Sequence, residues 1–319
     1  MIRYGILSTA SIAKRFIDGV RESKDGCVVA IASRSVEKAQ SAAKEFGIDT
    51  YYGSYVELFE DESIDIVYIP TMNELHYRDC KMALEHGKHV LMEKPFVLVE
   101  KDAKELFDLA KEKGLFLMEV QKSVFLPTTK KVKELIESDE IGEVRYIELK
   151  ASFPARFTTD HWMYNLKMGG GSLYGSATYT IELLQYLFDD PTMEIDGSMI
   201  PGPNGIDEMC NFQLCINNFI LVSSTITMNI ALPNQAVIYG AKGYIVIPNY
   251  WKSNHCVVHY PDGSTKQYDF PYQSEFVYEI EHVHDCIKKG LLTSPIMHPN
   301  KTIETVRLVH LLQHKWHKI

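Results

Sequence analysis

Lys94 stands in the run Met92-Glu93-Lys94-Pro95, directly after Gly87-Lys88-His89-Val90-Leu91. The pattern is that of a buried strand that stops at a proline and leaves a lysine at its exit. In a doubly wound α/β sheet, ligands bind at the carboxyl ends of the strands. A lysine held there, away from bulk water, has its pKa lowered toward the range in which it exchanges protons near neutral pH. Its neighbour Glu93 is placed to orient Lys94 or to contact a ribose, rather than to act as acid or base. Two further segments would give that lysine a ligand to act upon. The first apolar run leads into Gly5-Ile6-Leu7-Ser8-Thr9-Ala10-Ser11-Ile12-Ala13, where small residues let backbone N–H groups approach a pyrophosphate at a helix N-terminus. Only the first glycine of G-x-G-x-x-G is present, with Ser8 and Ala10 near the second and third; an ordinary turn capped by Ser8 or Thr9 is the alternative reading. After the second run, Ser33-Arg34-Ser35 offers a guanidinium and two hydroxyls, donors that suit a 2′-phosphate, where an acidic residue would hold the ribose 2′-hydroxyl of NAD. NADP is therefore the expected cofactor and NAD the second choice. Arg34 stacked on the adenine, or left in solvent, is the alternative.

The elements that must position these residues alternate through the first third of the chain. Ile2 to Ser8, Val28 to Ser33, Ile64 to Ile69, His89 to Glu93 and Leu115 to Val120 are short apolar runs. Between them, Ser11 to Glu22, Val36 to Phe46, Leu75 to His86 and Lys101 to Lys113 carry helical spacing. This βαβ rhythm predicts a parallel sheet covered on both faces. After a helix at Thr128 to Ser138 the pattern changes. Val144 to Phe153, Asn211 to Ile216, Ile220 to Met228, Gln235 to Gly240, Gly243 to Pro248 and His255 to Tyr260 read as strands. Turn signals such as Asn217-Asn218 and Pro261-Asp262-Gly263 join them, predicting an antiparallel or mixed sheet. Helices are expected at Ser172 to Phe188, Glu275 to Lys289 and Lys301 to His314.

With 319 residues, 45% of them hydrophobic and 24% charged, two globular domains are the natural expectation. We expect residues 1–121 to bind a dinucleotide and residues 122–319 to form the second domain, with the C-terminal helices packing back on the first. A net charge of -9 without clustered Lys and Arg argues against a nucleic-acid partner. Cys27, Cys80, Cys210, Cys215, Cys256 and Cys286 lack metal or disulfide spacing, which points to reduced thiols and a cytoplasmic protein. No basic, apolar leader and no 18-residue apolar stretch is present, so neither secretion nor a membrane span is expected.

The Gly5-to-Ala13 turn, Ile66-Val67-Tyr68-Ile69 leading to Asn73 and His76, Glu93-Lys94-Pro95, and the Gly169-Gly170-Gly171-Ser172-Leu173 helix start together resemble the Gfo/Idh/MocA oxidoreductases. The likeness spans essentially the whole chain and is nearest to the NADP-linked dihydrodiol and sugar dehydrogenase branch. It implies a Rossmann domain followed by an α/β domain with a large, mostly antiparallel open sheet, through which members form homodimers or higher homo-oligomers. It also implies hydride transfer between a nicotinamide and the hydroxyl/carbonyl group of a sugar, polyol or cyclic diol. By the same resemblance Ser8, Thr9, Ala10, Ile12, Ser33, Arg34, Ser35, Thr71, Asn73, His76, Glu93 and Lys94 would line the cofactor. His76 donating to backbone at a helix start is the alternative for that residue.

Lys94 matches the family's E-K-P lysine, and Tyr179 the tyrosine placed in the helix after the glycine run. An alcohol loses hydride only if its hydroxyl proton also leaves, so such a pair makes chemical sense as a proton relay. Positive charge beside Tyr179 favours its phenolate. The chain departs from the family where D-x-G-x-Y/H is usual: Gly175 stands in place of the aspartate. It also has Gln121 and Lys122 where an arginine is common. These two would meet the substrate, an anionic one included, unless Lys122 is a solvated loop lysine. Trp162 and Tyr164 would wall the substrate pocket, or simply be buried. His298, His310, His314 and His317 include an i, i+4 pair but no local third ligand, so no metal is expected. The missing aspartate leaves a second reading open, a cofactor-binding regulator or ligand sensor on the same fold.

Overall fold

The computed structural model describes residues 1–154 and 158–317. Its contacts divide the chain into two compact units, Met1–Gln121 with Gln273–Val306, and Lys122–Tyr272 with the chain from Arg307 onward.

In the first unit β1 (Ile2–Leu7), β2 (Gly26–Ala32), β3 (Thr50–Tyr52), β4 (Ile66–Ile69), β5 (His89–Glu93) and β6 (Leu117–Val120) form one parallel sheet in the order β3-β2-β1-β4-β5-β6. Helices α1 (Ser11–Glu22), α2 (Val36–Phe46), α3 (Tyr55–Glu60), α4 (His76–Glu85) and α5 (Glu100–Lys113) connect the strands. β4 is buried at every residue, as a strand covered on both faces must be. The strand order reverses at β1 and β4, and the carboxyl edge there is the crevice where a doubly wound sheet takes its ligand. Leu7, Ile69, Val90, Met92, Phe96 and Leu117 share one apolar cluster, which fixes the strand ends that carry the candidate residues.

The second unit holds α6 (Pro127–Glu137), α7 (Ser172–Leu187) and eight strands: β7 (Val144–Ser152), β8 (Met193–Pro201), β9 (Asp207–Ile216), β10 (Ile220–Thr227), β11 (Gln235–Gly240), β12 (Gly243–Pro248), β13 (His255–His259) and β14 (Thr265–Asp269). Their order is β14-β13-β12-β11-β7-β10-β9-β8, and only the β7–β10 pairing is parallel. α7 packs on β9 and β10 and is buried along nearly its whole length, with Thr180, Glu182 and Gln185 buried among its apolar residues, so it keeps no solvent-facing polar stripe. The chain closes with α8 (Val277–Lys288) in the first unit and α9 (Pro299–His317).

Three strands and one helix were not expected from the sequence. β3 is three residues long, and the six-residue α3 that follows rests on a capping box between Ser54 and Glu57. β8 and β14 are the two edges of the second sheet; β8 contains Gly197 and Pro201, and β14 is exposed at four of its five residues. β3 is too short and β14 too exposed to carry a pattern, whereas β8 does alternate from Met193 to Met199, with Gly197 weakening the signal. The third expected run begins at Ile66 rather than Ile64 and is the fourth strand.

Candidate functional site

At the carboxyl edge of the first sheet, Ser8 replaces a glycine and takes a φ of 84°. That left-handed backbone is strained for any residue with a Cβ. Three bonds hold it: the Ser8 N–H donates to Ala32 O at 2.8 Å, Ser8 Oγ donates to Pro70 O at 3.2 Å, and the Ala10 N–H donates to Ser8 Oγ at 3.2 Å. Ser8 thus joins the ends of β1, β2 and β4. α1 then begins after Ala10, whose methyl group supplies no cap. The Ala13 N–H closes on Ala10 O at 2.9 Å, and no side chain caps the turn, so the positive end of the helix dipole stays open to an anion, as phosphate binding requires. Neither Ser8 nor Thr9 caps the helix as the alternative reading had it.

At the end of β2, Ser33 is buried and Arg34 is exposed. Among the described residues Arg34 makes no ion pair, so its guanidinium is available to a ligand. Ser35 is otherwise engaged: its Oγ accepts the Lys38 N–H at 3.3 Å as the cap of α2 and donates to Glu37 at 2.6 Å, which holds that carboxyl below its usual range. At the end of β4, the buried Thr71 Oγ1 has no hydrogen-bond partner among the described residues. A buried hydroxyl without a partner is costly, so a polar ligand group at that edge fits it. Uncapped α1, Arg34 and Thr71 together fit a phosphorylated dinucleotide.

The Lys94 loop is gripped from several sides. Glu93 accepts Tyr68 Oη at 2.6 Å on one carboxylate oxygen and the Lys94 N–H at 3.0 Å on the other. The Lys94–Pro95 peptide is cis. The Phe96 N–H donates to the buried Glu119 at 3.0 Å. His76 Nδ1 lies 2.8 Å from Pro95 O and its Nε2 3.1 Å from Thr71 O. Burial pushes the His76 imidazole below its ordinary pKa, against the pull of the two carbonyls. A neutral imidazole has one N–H and so donates to one of these two carbonyls, tying His76 to the loop after β4 or the loop after β5. The Gln121 N–H donates at 2.5 Å to Glu279 of α8, a third buried carboxylate pinning a loop at this edge. Asn73 is buried in the single 3-10 turn that precedes α4.

In the second unit α7 positions Tyr179. Asp207, at the start of β9, accepts the Leu173 N–H at 2.6 Å, Ser172 Oγ at 2.9 Å and Gln313 Nε2 at 3.1 Å. It caps α7 from outside the helix. Gly171 takes a φ of 106°, and a Cβ there would lie 2.2 Å from Asp207 Oδ1, so the close approach demands glycine. Lys122 Nζ donates to Tyr179 Oη at 2.7 Å and lies 4.7 Å from the Tyr179 ring centre. Lys122 is 4% exposed and Tyr179 8%, which rules out the solvated loop lysine. The Trp251 ring lies along Tyr179 with centres 6.0 Å apart. One turn before Tyr179, a Cβ on Gly175 would meet Phe153 Cζ at 2.7 Å. The Phe153 ring occupies the room an aspartate at 175 would need.

Trp162 lies half-buried in the loop before α7, and Tyr164 packs with Ile206 and Met228 in a small apolar cluster. His310 and His314 sit with ring centres 6.3 Å apart on α9, and among the described residues no group of three metal-ligating side chains assembles. The sequence did not single out Asp207, Trp251 or Glu279, which lie far along the chain from the residues they serve; only their types, an isolated acid and an aromatic, hinted at a role.

Residues 2–121 match the family model for oxidoreductases of the Gfo/Idh/MocA type with an NAD-binding Rossmann fold, and residues 129–246 match the Gfo/Idh/MocA C-terminal domain. The chain is 32% identical over 308 residues to trans-1,2-dihydrobenzene-1,2-diol dehydrogenase of Xenopus laevis, covering 92% of each. It is 29% identical to the NADP+-linked scyllo-inositol 2-dehydrogenase of Bacillus subtilis (strain 168), covering 97% of this chain and 95% of that one. Among solved structures, a 3-ketoreductase from Actinomadura kijaniata in complex with NADP and TDP-benzene superposes with a TM-score of 0.89 at 26% identity, covering 98% of this chain and 97% of that one.

Proposed function

The chain belongs to the Gfo/Idh/MocA oxidoreductase family, and on that premise we propose that it interconverts a ring-borne secondary alcohol and its ketone with NADP, taking a sugar, cyclic polyol or cyclic diol as substrate. It is an NAD(P)-binding oxidoreductase acting on CH–OH groups. The preference for NADP is supported by Arg34, an exposed guanidinium just after β2 that makes no ion pair among the described residues. The substrate class is supported by relatives whose names specify a dihydrobenzene diol and an inositol.

When bound, the nicotinamide supplies the hydride acceptor or donor. The remaining task is the hydroxyl proton, and we assign it to Lys94 and Tyr179. In the oxidative direction a Tyr179 phenolate takes the proton from the substrate oxygen; in the reductive direction the phenol returns it. Lys94, in its gripped loop, contributes positive charge or the proton itself. The observation that carries this reading is Tyr179 itself, a nearly buried phenol whose oxygen is held at 2.7 Å by an ammonium. The first-turn N–H groups of α1 and the Thr71 hydroxyl would hold the cofactor. Trp251 supplies an apolar face against which a sugar or carbocycle can lie. The regulator reading raised by Gly175 is not favoured, since dehydrogenases match over nearly the whole chain.

The proposal extends to a cytoplasmic setting, supported by six unpaired thiols, and to a homodimer formed through the second sheet. The assay that tests the function is a panel of cyclic diols, inositols and sugars offered with NADP+ and NAD+, followed by the absorbance of reduced nicotinamide. Turnover of a ring-borne alcohol with NADP+ is expected; turnover confined to acyclic substrates, or none, would contradict the substrate class.

A further inference from the structure

Lys122, which the sequence offers as a substrate contact, lies against Tyr179. Its Nζ sits 2.7 Å from the Tyr179 oxygen, the distance of a charge-assisted hydrogen bond, and 4.7 Å from the ring centre. An ammonium donating to a phenol oxygen stabilises the phenolate far more than the phenol, because only the phenolate forms an ion pair. With both side chains more than nine-tenths buried, little water intervenes to screen that difference.

Both partners are held from behind. Lys122 lies on a single 3-10 turn, Lys122–Val124, whose Ser123 carbonyl accepts Thr129 Oγ1 at 2.6 Å. Tyr179 lies on α7, whose start is fixed by Asp207 and whose next residue, Thr180, meets Ser224 Oγ at 3.1 Å and Tyr250 Oη at 3.2 Å. Among the described residues, the buried titratable groups on β9 and β10 and next to Tyr179 on α7 are these. β9 brings Asp207 and Cys210 to its first turn, and β10 has no titratable residue. Glu182, one turn on, is buried on α7 itself. Tyr250, the other nearby phenol, is pushed well above the ordinary range by burial, so it stays protonated.

We infer that Lys122 is the positioning residue that holds Tyr179 as a phenolate at working pH, making Tyr179 and Lys122 one acid/base couple in which the exchanged proton resides on the Tyr179 oxygen. The inference rests on the proton-relay reading above, but its test does not require turnover. With tyrosines labelled at the 13Cζ carbon, the Tyr179 resonance is identified by its loss in Tyr179→Phe and followed against pH in the whole protein. In the native protein its midpoint is expected below the ordinary phenol value of about 10. In Lys122→Gln the midpoint is expected to rise by about 1–3 pH units, the effect of one close opposite charge, and Lys122→Arg is expected to restore most of the shift. Once a substrate is found, the limb that Tyr179 sets in the pH profile of kcat/KM should move by the same amount. A native midpoint at or above the ordinary value overturns the inference, whether or not the variants fold. So does an unchanged midpoint in Lys122→Gln, or a Lys122→Gln effect confined to KM, which would return Lys122 to substrate binding. A shifted midpoint without turnover of any cyclic alcohol would leave the couple standing and remove the substrate reading alone.

Discussion

Arg34 carries the clearest single-residue consequence. It is exposed at the end of β2 and makes no ion pair among the described residues, whereas Arg3 pairs with Asp65 at 2.7 Å and Arg78 with Asp79 at 2.7 Å. A guanidinium kept free where a ribose phosphate would lie adds a charged hydrogen bond only for the phosphorylated cofactor. Arg34→Ala is therefore expected to weaken NADPH binding by about 1–3 kcal/mol and to leave NADH nearly unchanged, as measured by fluorescence titration; equal losses for both would remove the 2′-phosphate role. The positions of Arg34 and Lys94 just after β2 and β5 were legible in the sequence, because each follows an apolar run that ends there. Lys122 and Tyr179 were each noticed, but not as a pair: 57 positions separate them, and no spacing rule spans a fold. His76 was placed at the cofactor edge, and in the fold its two nitrogens lie beside the Thr71 and Pro95 carbonyls, one of which its single N–H reaches. Type and position could not reveal that, since a buried imidazole serves backbone as readily as ligand.

At the scale of elements, α7 is shaped by two glycines with different causes. Gly171 yields to Asp207 and to a left-handed backbone; Gly175 yields to the Phe153 ring. On an exposed helix, glycine to alanine would gain up to about 1 kcal/mol. Here the added methyl would stand 2.7 Å from Phe153 Cζ in a packed site. Gly175→Ala is expected to destabilise by about 1–3 kcal/mol, read from the denaturant midpoint, and Phe153→Leu in the same chain is expected to recover part of that loss. Additive losses would show that the ring does not set the residue at 175. The missing family aspartate is thus tied to a packing change that the sequence alone could not show, because Phe153 and Gly175 meet only in the fold. Elements with strong periodicity, such as α1, α2 and β5, were legible to the residue. Those held by tertiary pairing, β3, β8 and β14, were not: β3 is three residues long, β14 is exposed at four of its five residues, and the alternation of β8 is interrupted by Gly197 and ends in Pro201.

For the whole molecule, the second sheet presents a cross-strand row of Leu221, Tyr146, Tyr239, Tyr244 and His259, in register across β10, β7, β11, β12 and β13. Leu221 is 49% exposed and Tyr239 37%. A contiguous apolar and aromatic row of this kind marks an association surface, and a second copy of the chain is the proposed partner. The native protein is expected to sediment as two copies and Tyr239→Glu as one, since a buried unpaired carboxylate costs several kcal/mol; a native protein that sediments as one copy would contradict the dimer. Fold class was legible at this scale because the pattern changes near residue 128 from regularly alternating strands and helices to one dominated by strands joined by turn signals. Function, on the proposed mechanism, comes down to one proton. Tyr179→Phe keeps the ring, its stacking on Trp251 and its place on α7, and removes only the acidic oxygen. The expected result is a fall in kcat of about 100-fold or more with NADPH affinity unchanged; kcat retained at the native level in Tyr179→Phe would contradict the assignment of the proton to Tyr179.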